Sequence, residues 1–151
     1  VTIDEIEVQQ FLTYRLARTH MRLNAQAIRI LKRNAGLTLA QWRIIALIAA
    51  GECQNSSDIE RQIGMDKGQI SRTIRTLTDA GYVIVKVDSH DHRRSNLELS
   101  TEARVIYDKT LPIMRNRQRR LLAHLEDDEV TAIYSALEKL ERAAEFSEDE
   151  L

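Results

Sequence analysis

The stretch from Ser56 to Thr101, SSDIERQIGMDKGQISRTIRTLTDAGYVIVKVDSHDHRRSNLELST, constrains the fold more than any other part of the chain. Ser56 or Ser57 opens a helix with Asp58 and Glu60 favourable in its first turn, and Gly64 ends it. Asp66 caps a second helix that runs to about Ala80, with Gly81 as its terminator. Tyr82 to Val87 is then rich in β-branched residues, and Asn96 to Leu99 supplies another short strand. A polar connection of Asp, His and Arg between them makes the pair a hairpin. Two short helices meeting at Gly64-Met65-Asp66 and running straight into a β-ribbon form a helix-turn-helix with a wing. A unit of that shape can set its second helix in a groove of DNA and reach the next groove with the basic tip of its hairpin.

The flanks are helical. Val8, Phe11, Leu12, Leu16, Leu23, Ala27, Ile30 and Leu31 follow helical spacing, which predicts a first helix ending near Asn34 to Gly36. Thr38 can cap a helix from Leu39 to about Ala50 that carries Trp42, Ile45, Leu47 and Ile48, with Gly51 stopping it. Beyond Thr101, one helix is expected over roughly Glu102 to His124, kinked rather than broken at Pro112, and a last one from about Asp127 to Ala144. The expected fold is mainly α with a small β-hairpin: a winged helix-turn-helix flanked by a helical dimerisation bundle. Its parts are an N-terminal dimerisation helix (1–36), a DNA-binding domain (37–101) and C-terminal dimerisation helices (102–151). The stripes of the terminal helices, including Val130, Ile133, Leu137 and Leu140, exceed what the small central module can cover. A second copy would bury them; an ordinary intrachain core is the alternative.

Composition adds bounds. With 43% apolar and 30% charged residues in 151, the chain suits a folded soluble protein. Its net charge of −1 gives no argument for a nucleic-acid partner. Local charge does: from Arg61 to Arg94 there are seven cations (Arg61, Lys67, Arg72, Arg75, Lys86, Arg93, Arg94) against Asp66, Asp79, Asp88 and Asp91. A single cysteine, Cys53, excludes an intrachain disulfide and a Cys-based metal cluster and fits a reducing, cytoplasmic setting. No apolar run approaches the ~20 residues of a membrane span, and the acidic start (Asp4, Glu5, Glu7) is unlike a signal peptide, so no membrane partner is expected.

On a helical wheel Ile70, Ile74 and Leu77 point to one side of the second helix of the unit. Gly68, Arg72, Arg75, Thr76 and Asp79 point to the other, with Gln69 and Ser71 on the flanks near the start. A helix in the major groove reads bases from its N-terminal turns, which selects Gln69, Ser71 and Arg72 for base edges. Lys67 and Arg75 are better placed for phosphates, and Gly68 would allow a close backbone approach. A merely solvated helix face is the competing reading. In the hairpin tip, Asp91 is close enough in sequence to pair with an Arg and order the loop. An arginine held so can enter a narrow minor groove.

LTLAQWRIIALI (Leu37 to Ile48), the helix-turn-helix, and DHRRSNLELST (Asp91 to Thr101) together resemble the MarR family of bacterial transcription regulators. LEDDEVTAIYSALEKL (Leu125 to Leu140) resembles the start of that family's last helix. The likeness runs from about Val8 to Ala144; Ser100 stands where the family's strand end commonly has Thr. It implies a homodimeric winged helix-turn-helix regulator, a repressor, on a near-palindromic double-stranded operator. It implies further that Arg93 enters the minor groove, that Asp91 orients it, and that Arg94 meets a phosphate. Small aromatic or phenolic acids as effectors are also implied, in a pocket between dimer helices and winged domain. Arg15, His20, Trp42 and Arg43 can supply a cation and an aromatic wall there, though surface and core roles explain them equally well.

Other readings stand beside this one. His90 and His92 with Asp88 and Asp91 do not form the fixed tetrahedral set of a zinc site, and no metal is expected. Relatives that sense oxidants by a thiol make Cys53 a candidate sensor, but Glu52 beside it disfavours a thiolate and no intrachain resolving cysteine exists. Arg115, Arg117, Arg119 and Arg120 read as a solvated helix face. No Gly-rich phosphate loop, metal-ligand spacing or nucleophile-base set is recognisable, so neither an enzyme nor a cofactor is expected. A winged helix serving as a protein-interaction module without DNA binding is the remaining alternative.

Overall fold

The computed structural model describes residues 6–87 and 95–144. A single 3-10 turn at Val8–Gln10 precedes α1 (Leu12–Ala35), α2 (Leu39–Ala50), α3 (Ser56–Ile63) and α4 (Lys67–Asp79). Strands β1 (Val83–Val87) and β2 (Ser95–Leu99) follow, then α5 (Thr101–Leu122) and α6 (Asp127–Ala143). This is the mainly helical, winged architecture expected, with the two strands antiparallel and registered from Val83↔Leu99 to Val87↔Ser95.

Local chemistry sets the boundaries. Thr38 and Gln41 form a reciprocal capping box: Gln41 N donates to Thr38 Oγ1 at 3.1 Å, and Thr38 N to Gln41 Oε1 at 2.9 Å. Three differences from the sequence reading have plain causes. Phe11 sits in extended backbone (φ −56°, ψ 138°), so Val8 lies in a separate turn and α1 starts only at Leu12. The cap of α3 is Asn55, whose Oδ1 accepts from Asp58 N at 3.0 Å, which leaves both following serines inside the helix. Ser100 Oγ accepts from Ala103 N at 3.2 Å, so α5 begins at Thr101. It ends at Leu122, where i→i−3 bonds from His124 to Leu121 and Leu125 to Leu122 tighten the chain. Ser100 thus does the capping expected of Thr at that place.

The chain divides into two compact units, Val1–Thr110 and Leu111–Leu151. In the first, α2 is apolar but for Gln41 and Arg43: Trp42, Ile44, Ile45 and Ile48 are buried, and α1, α3, α4 and β2 all pack on it. Leu31, Ile59, Ile70, Leu77 and Val83 are also fully buried and close this core. Leu97 N donates to Gln54 O at 2.8 Å, tying the hairpin to the segment before α3. The first turns of α5 join the same unit: Tyr107 stacks on Trp42 with ring centroids 5.7 Å apart, and Arg104 lies over Tyr107 while its Nη1 donates to Ala49 O at 3.0 Å. Thr110 is a buried polar residue whose hydroxyl donates to Ile106 O at 2.7 Å.

In the second unit α5 stays helical through Pro112, and Gln118 Nε2 donates to the Tyr134 hydroxyl at 3.3 Å. Asp127, Asp128 and Glu129 sit in the first turn of α6, where the helix dipole favours them. No residue of α6 is buried, and Ile133, Tyr134, Leu137 and Leu140 are exposed. Among the described residues, no helix is long and apolar enough to cross a membrane, and no cluster of three metal-ligating side chains occurs.

Candidate nucleic-acid interface

The turn between α3 and α4 depends on Gly64, whose φ of 63° is left-handed and costs an L side chain strain. Asp66 follows as the cap of α4: Gln69 N donates to its Oδ1 at 2.8 Å. The cap fixes where the helix starts and therefore which residues share a face. Ile70 and Leu77 are buried and Ile74 half-buried, while Lys67, Gly68, Gln69, Ser71, Arg72, Arg75, Thr76 and Asp79 are exposed. This is the division the wheel predicts.

Within that face the donors differ. Thr76 Oγ1 donates back to Arg72 O at 3.0 Å, as Thr73 does to Gln69 O at 2.8 Å and Thr78 to Ile74 O at 2.9 Å. The side chains of Lys67, Gln69, Ser71, Arg72 and Arg75 have no such bond among the described residues and remain open to an external acceptor. The cations also differ in pairing. Arg61 is bound by Asp58 on its own helix, and Lys86 pairs with Glu98 across the hairpin at 2.7 Å. Lys67, Arg72 and Arg75 carry no ion pair among the described residues, and the carboxylate of Asp66 is engaged as the cap. Gly68 has a second effect. A Cβ there would stand 3.1 Å from Asp66 Oδ1 and 3.2 Å from an Arg72 guanidinium nitrogen. The guanidinium therefore lies back along the first turn of α4, over the space a side chain would fill.

Beside this face is a cleft of about 220 Å³, floored by Ile70, Ile74, Val85 and Leu97 and rimmed by Ser56, Ser57, Glu60, Lys67 and Ser71. Ser56 and Ser57 escaped the sequence reading because a serine before a helix reads as its cap; with Asn55 in that role, both hydroxyls are exposed next to Lys67. Asp91, Arg93 and Arg94, together with Asp88, His90 and His92, lie outside the described residues.

The proposed effector residues are only partly brought together. Asn24 links His20 to Arg43: its Nδ2 lies 2.8 Å from His20 Nε2, and its Oδ1 accepts from Arg43 at 3.0 Å. Trp42 is buried in the stack with Tyr107, yet with Arg43 it borders a groove of about 360 Å³ whose other walls are Ala46, Leu47, Gln62 and Ile63. Arg15 is exposed on α1 and is not among the lining residues of that groove. Cys53 is buried (2% exposed); burial, then the charges of Asp58 and Glu52, push its thiol above its ordinary pKa, and Arg61 offsets this in part. Such a thiol stays protonated at neutral pH.

A trihelical core of α2, α3 and α4 with a hairpin beside it, and an open, uncompensated basic face on the last of these helices, define a winged helix-turn-helix protein. Residues 35–94, the winged segment, match the model of the MarR family. The HTH-type transcriptional regulator FarR of Neisseria gonorrhoeae is 31% identical over 75 residues, which are 50% of this chain and 51% of that protein, so the match spans about half of the curated relative. A MarR/EmrR family transcriptional regulator from Acinetobacter sp. ADP1 superposes with a TM-score of 0.85 at 22% identity, covering 97% of this chain and all of that one. The MepR–DNA complex of Staphylococcus aureus gives a TM-score of 0.80 at 18% identity, over 88% of this chain and 98% of that chain. At these identities the structural likeness is one of fold.

Proposed function

We propose that the chain is a cytoplasmic, sequence-specific DNA-binding transcription regulator that acts as a homodimer on a near-palindromic operator, and that it represses by occupying it. The observation that carries this reading is the face of α4: Lys67, Arg72 and Arg75 stand exposed without an ion pair among the described residues, while Arg61 and Lys86 are paired. In this reading Gln69, Ser71 and Arg72 contact base edges, and Lys67 and Arg75 hold phosphates. Arg93 enters the minor groove, oriented by Asp91, and Arg94 holds a phosphate. Residues 37–101 serve as the DNA-binding domain, and 1–36 and 102–151 as dimerisation segments. The exposed apolar side chains of α6, and Leu12 and Leu16 of α1, support the dimer, since a single copy leaves them exposed. The fold shared with a protein solved as a DNA complex supports the partner.

A fluorescence-anisotropy titration of the chain's own promoter duplex tests the reading. Submicromolar, salt-sensitive binding that a shuffled duplex does not match supports it. Absence of salt-dependent binding below micromolar concentrations would favour a protein-interaction module. The same account places a small aromatic-acid effector at the groove beside Trp42 and Arg43. An acid that binds only the folded protein raises its melting temperature by mass action, and Arg43→Ala is expected to abolish that rise. A melt unmoved by a panel of such acids would remove the effector from the proposal.

A further inference from the structure

Arg43 stands half-buried at the groove beside Trp42, with no carboxylate partner among the described residues. What holds it is an amide on the neighbouring helix: its Nη2 donates to Asn24 Oδ1 at 3.0 Å. A guanidinium can only donate, so this bond fixes which way the amide of Asn24 faces, with Oδ1 toward α2 and Nδ2 away from it. Nδ2 then lies 2.8 Å from Nε2 of His20, one turn earlier on α1. An amide nitrogen is a donor, so the ring nitrogen opposite it must accept. The chain of bonds therefore selects one form of the imidazole, neutral and carrying its proton on Nδ1. Arg43 sets the polarity of the whole chain, and His20 is its far end.

A carboxylate in place of Asn24 would hold Arg43 as firmly and cancel its charge. The amide orients the guanidinium and leaves the charge available to an anion in the groove. Charged groups around His20 are few. From the elements packed on α1, α2 contributes Arg43 alone and the turn at Val8–Gln10 none, while α1 itself has cations but no carboxylate. On protonation Nε2 becomes a donor and the bond from Asn24 Nδ2 is lost. An amide turned to suit the imidazolium would set Nδ2 against the guanidinium, donor to donor. Arg43 is then no longer held. We infer that Asn24 is a positioning residue of the effector site: it holds Arg43 at the groove without neutralising it, and only while His20 is unprotonated. Affinity for an aromatic acid therefore falls as the pH falls through the range in which imidazole takes up its proton. A histidine that met the acid directly, or merely added positive charge nearby, would raise that affinity instead. The inference rests on the effector groove proposed above and states what keeps its cation available.

Trp42 is the only tryptophan of the chain and borders the groove, so its fluorescence reports occupancy in the full chain, with benzoate as the probe. Benzoate keeps its charge from about pH 8 to about pH 5.5. Over that range its affinity should fall about three- to tenfold, the scale of ordering one long side chain on binding. His20→Gln keeps an acceptor for Asn24 but has no proton to take up, so it should bind as the parent does at the higher pH and hold that affinity at the lower. Asn24→Leu should bind weakly at both. Asn24→Asp should melt no lower than the parent yet bind benzoate several-fold more weakly, because Arg43 is then held and neutralised; a merely structural clamp predicts no such loss. NMR of the His20 ring nitrogens needs no ligand: at the higher pH Nδ1 should carry the proton and Nε2 none, and Asn24→Leu should relax that preference. A ring protonated on Nε2 would overturn the inference. So would benzoate affinity that is level or rises toward low pH, a pH dependence that survives His20→Gln, or an Asn24→Asp protein that binds as the parent does. With any of these last three the effector groove stands. If neither benzoate nor the wider panel of acids binds at either pH, the groove is no effector site and the inference falls with it.

Discussion

Arg72 and Gly68 illustrate how one residue type can be present for the sake of another. Arg72 lies back over the first turn of α4, and a Cβ at position 68 would press on its guanidinium and on the capping carboxylate of Asp66. Gly68→Ala gains at most the roughly 1 kcal/mol of helix propensity that an interior glycine forfeits, offset by the shift it forces on the Asp66 cap, so stability should change by less than about that amount. It should nevertheless bind its operator less well, since the arginine must move by a few tenths of an ångström. A thermal melt and an anisotropy titration on one preparation separate the two effects, and parallel losses in both would refute the assignment. Arg72→Ala should weaken specific binding by about 1–3 kcal/mol while leaving shuffled DNA nearly unaffected. Lys67→Ala should weaken both duplexes and reduce the salt slope by about one. Cys53 offers a contrasting prediction: with its thiol buried and its pKa raised, it should react with a maleimide far more slowly in the native protein than in denaturant, and equally fast reaction would reopen a redox role.

At the scale of elements, α3 and α4 form a pair whose geometry is held from their ends. Removing the cap with Asp66→Ala should cost about 1 kcal/mol of stability, measured by urea unfolding. Asp58 supplies a pH signature. A hydrogen bond from Gln54 N, followed by the Arg61 side chain and its charge, holds its carboxyl below the ordinary 3.8, and Asn55 adds to this. Because the folded-state pKa is the lower one, the contribution is fully present above the ordinary value and fades as pH falls through the folded one. Asp58→Asn should therefore melt below the wild type at pH 6, with the difference closing as the pH is lowered past 3.8. These elements were legible in sequence because Thr38, Asp66, Gly51 and Gly64 are strong local punctuation, and Ile70 with Leu77 shows helical period. The end of α5 and the separation of Val8 from α1 were not, since both turn on single backbone geometries that no side chain announces. The face of α4 could be read from spacing alone, but which cations stand unpaired could not: Arg61 and Lys86 look as basic as Arg72 until Asp58 and Glu98 are seen beside them.

For the whole molecule, the proposed homodimer rests on the apolar side chains that α1 and α6 leave exposed in a single copy. A two-fold pair of winged units reads a two-fold site, and the spacing of the half-sites is then set by the separation of the two recognition helices. The account predicts that truncation after residue 125 removes both the dimer and the operator affinity while a folded, poorly binding monomer remains; retained tight operator binding by that monomer would count against the paired reading. The central claim, that paired copies of α4 read DNA, is tested most directly by a hydroxyl-radical footprint on the chain's own promoter. Two protected stretches about 10 base pairs apart, or a multiple of that, on one face of the duplex, both lost in Arg72→Ala, are the expected result. A single protected stretch that Arg72→Ala leaves intact, or no protection at concentrations where the chain is dimeric, would contradict it.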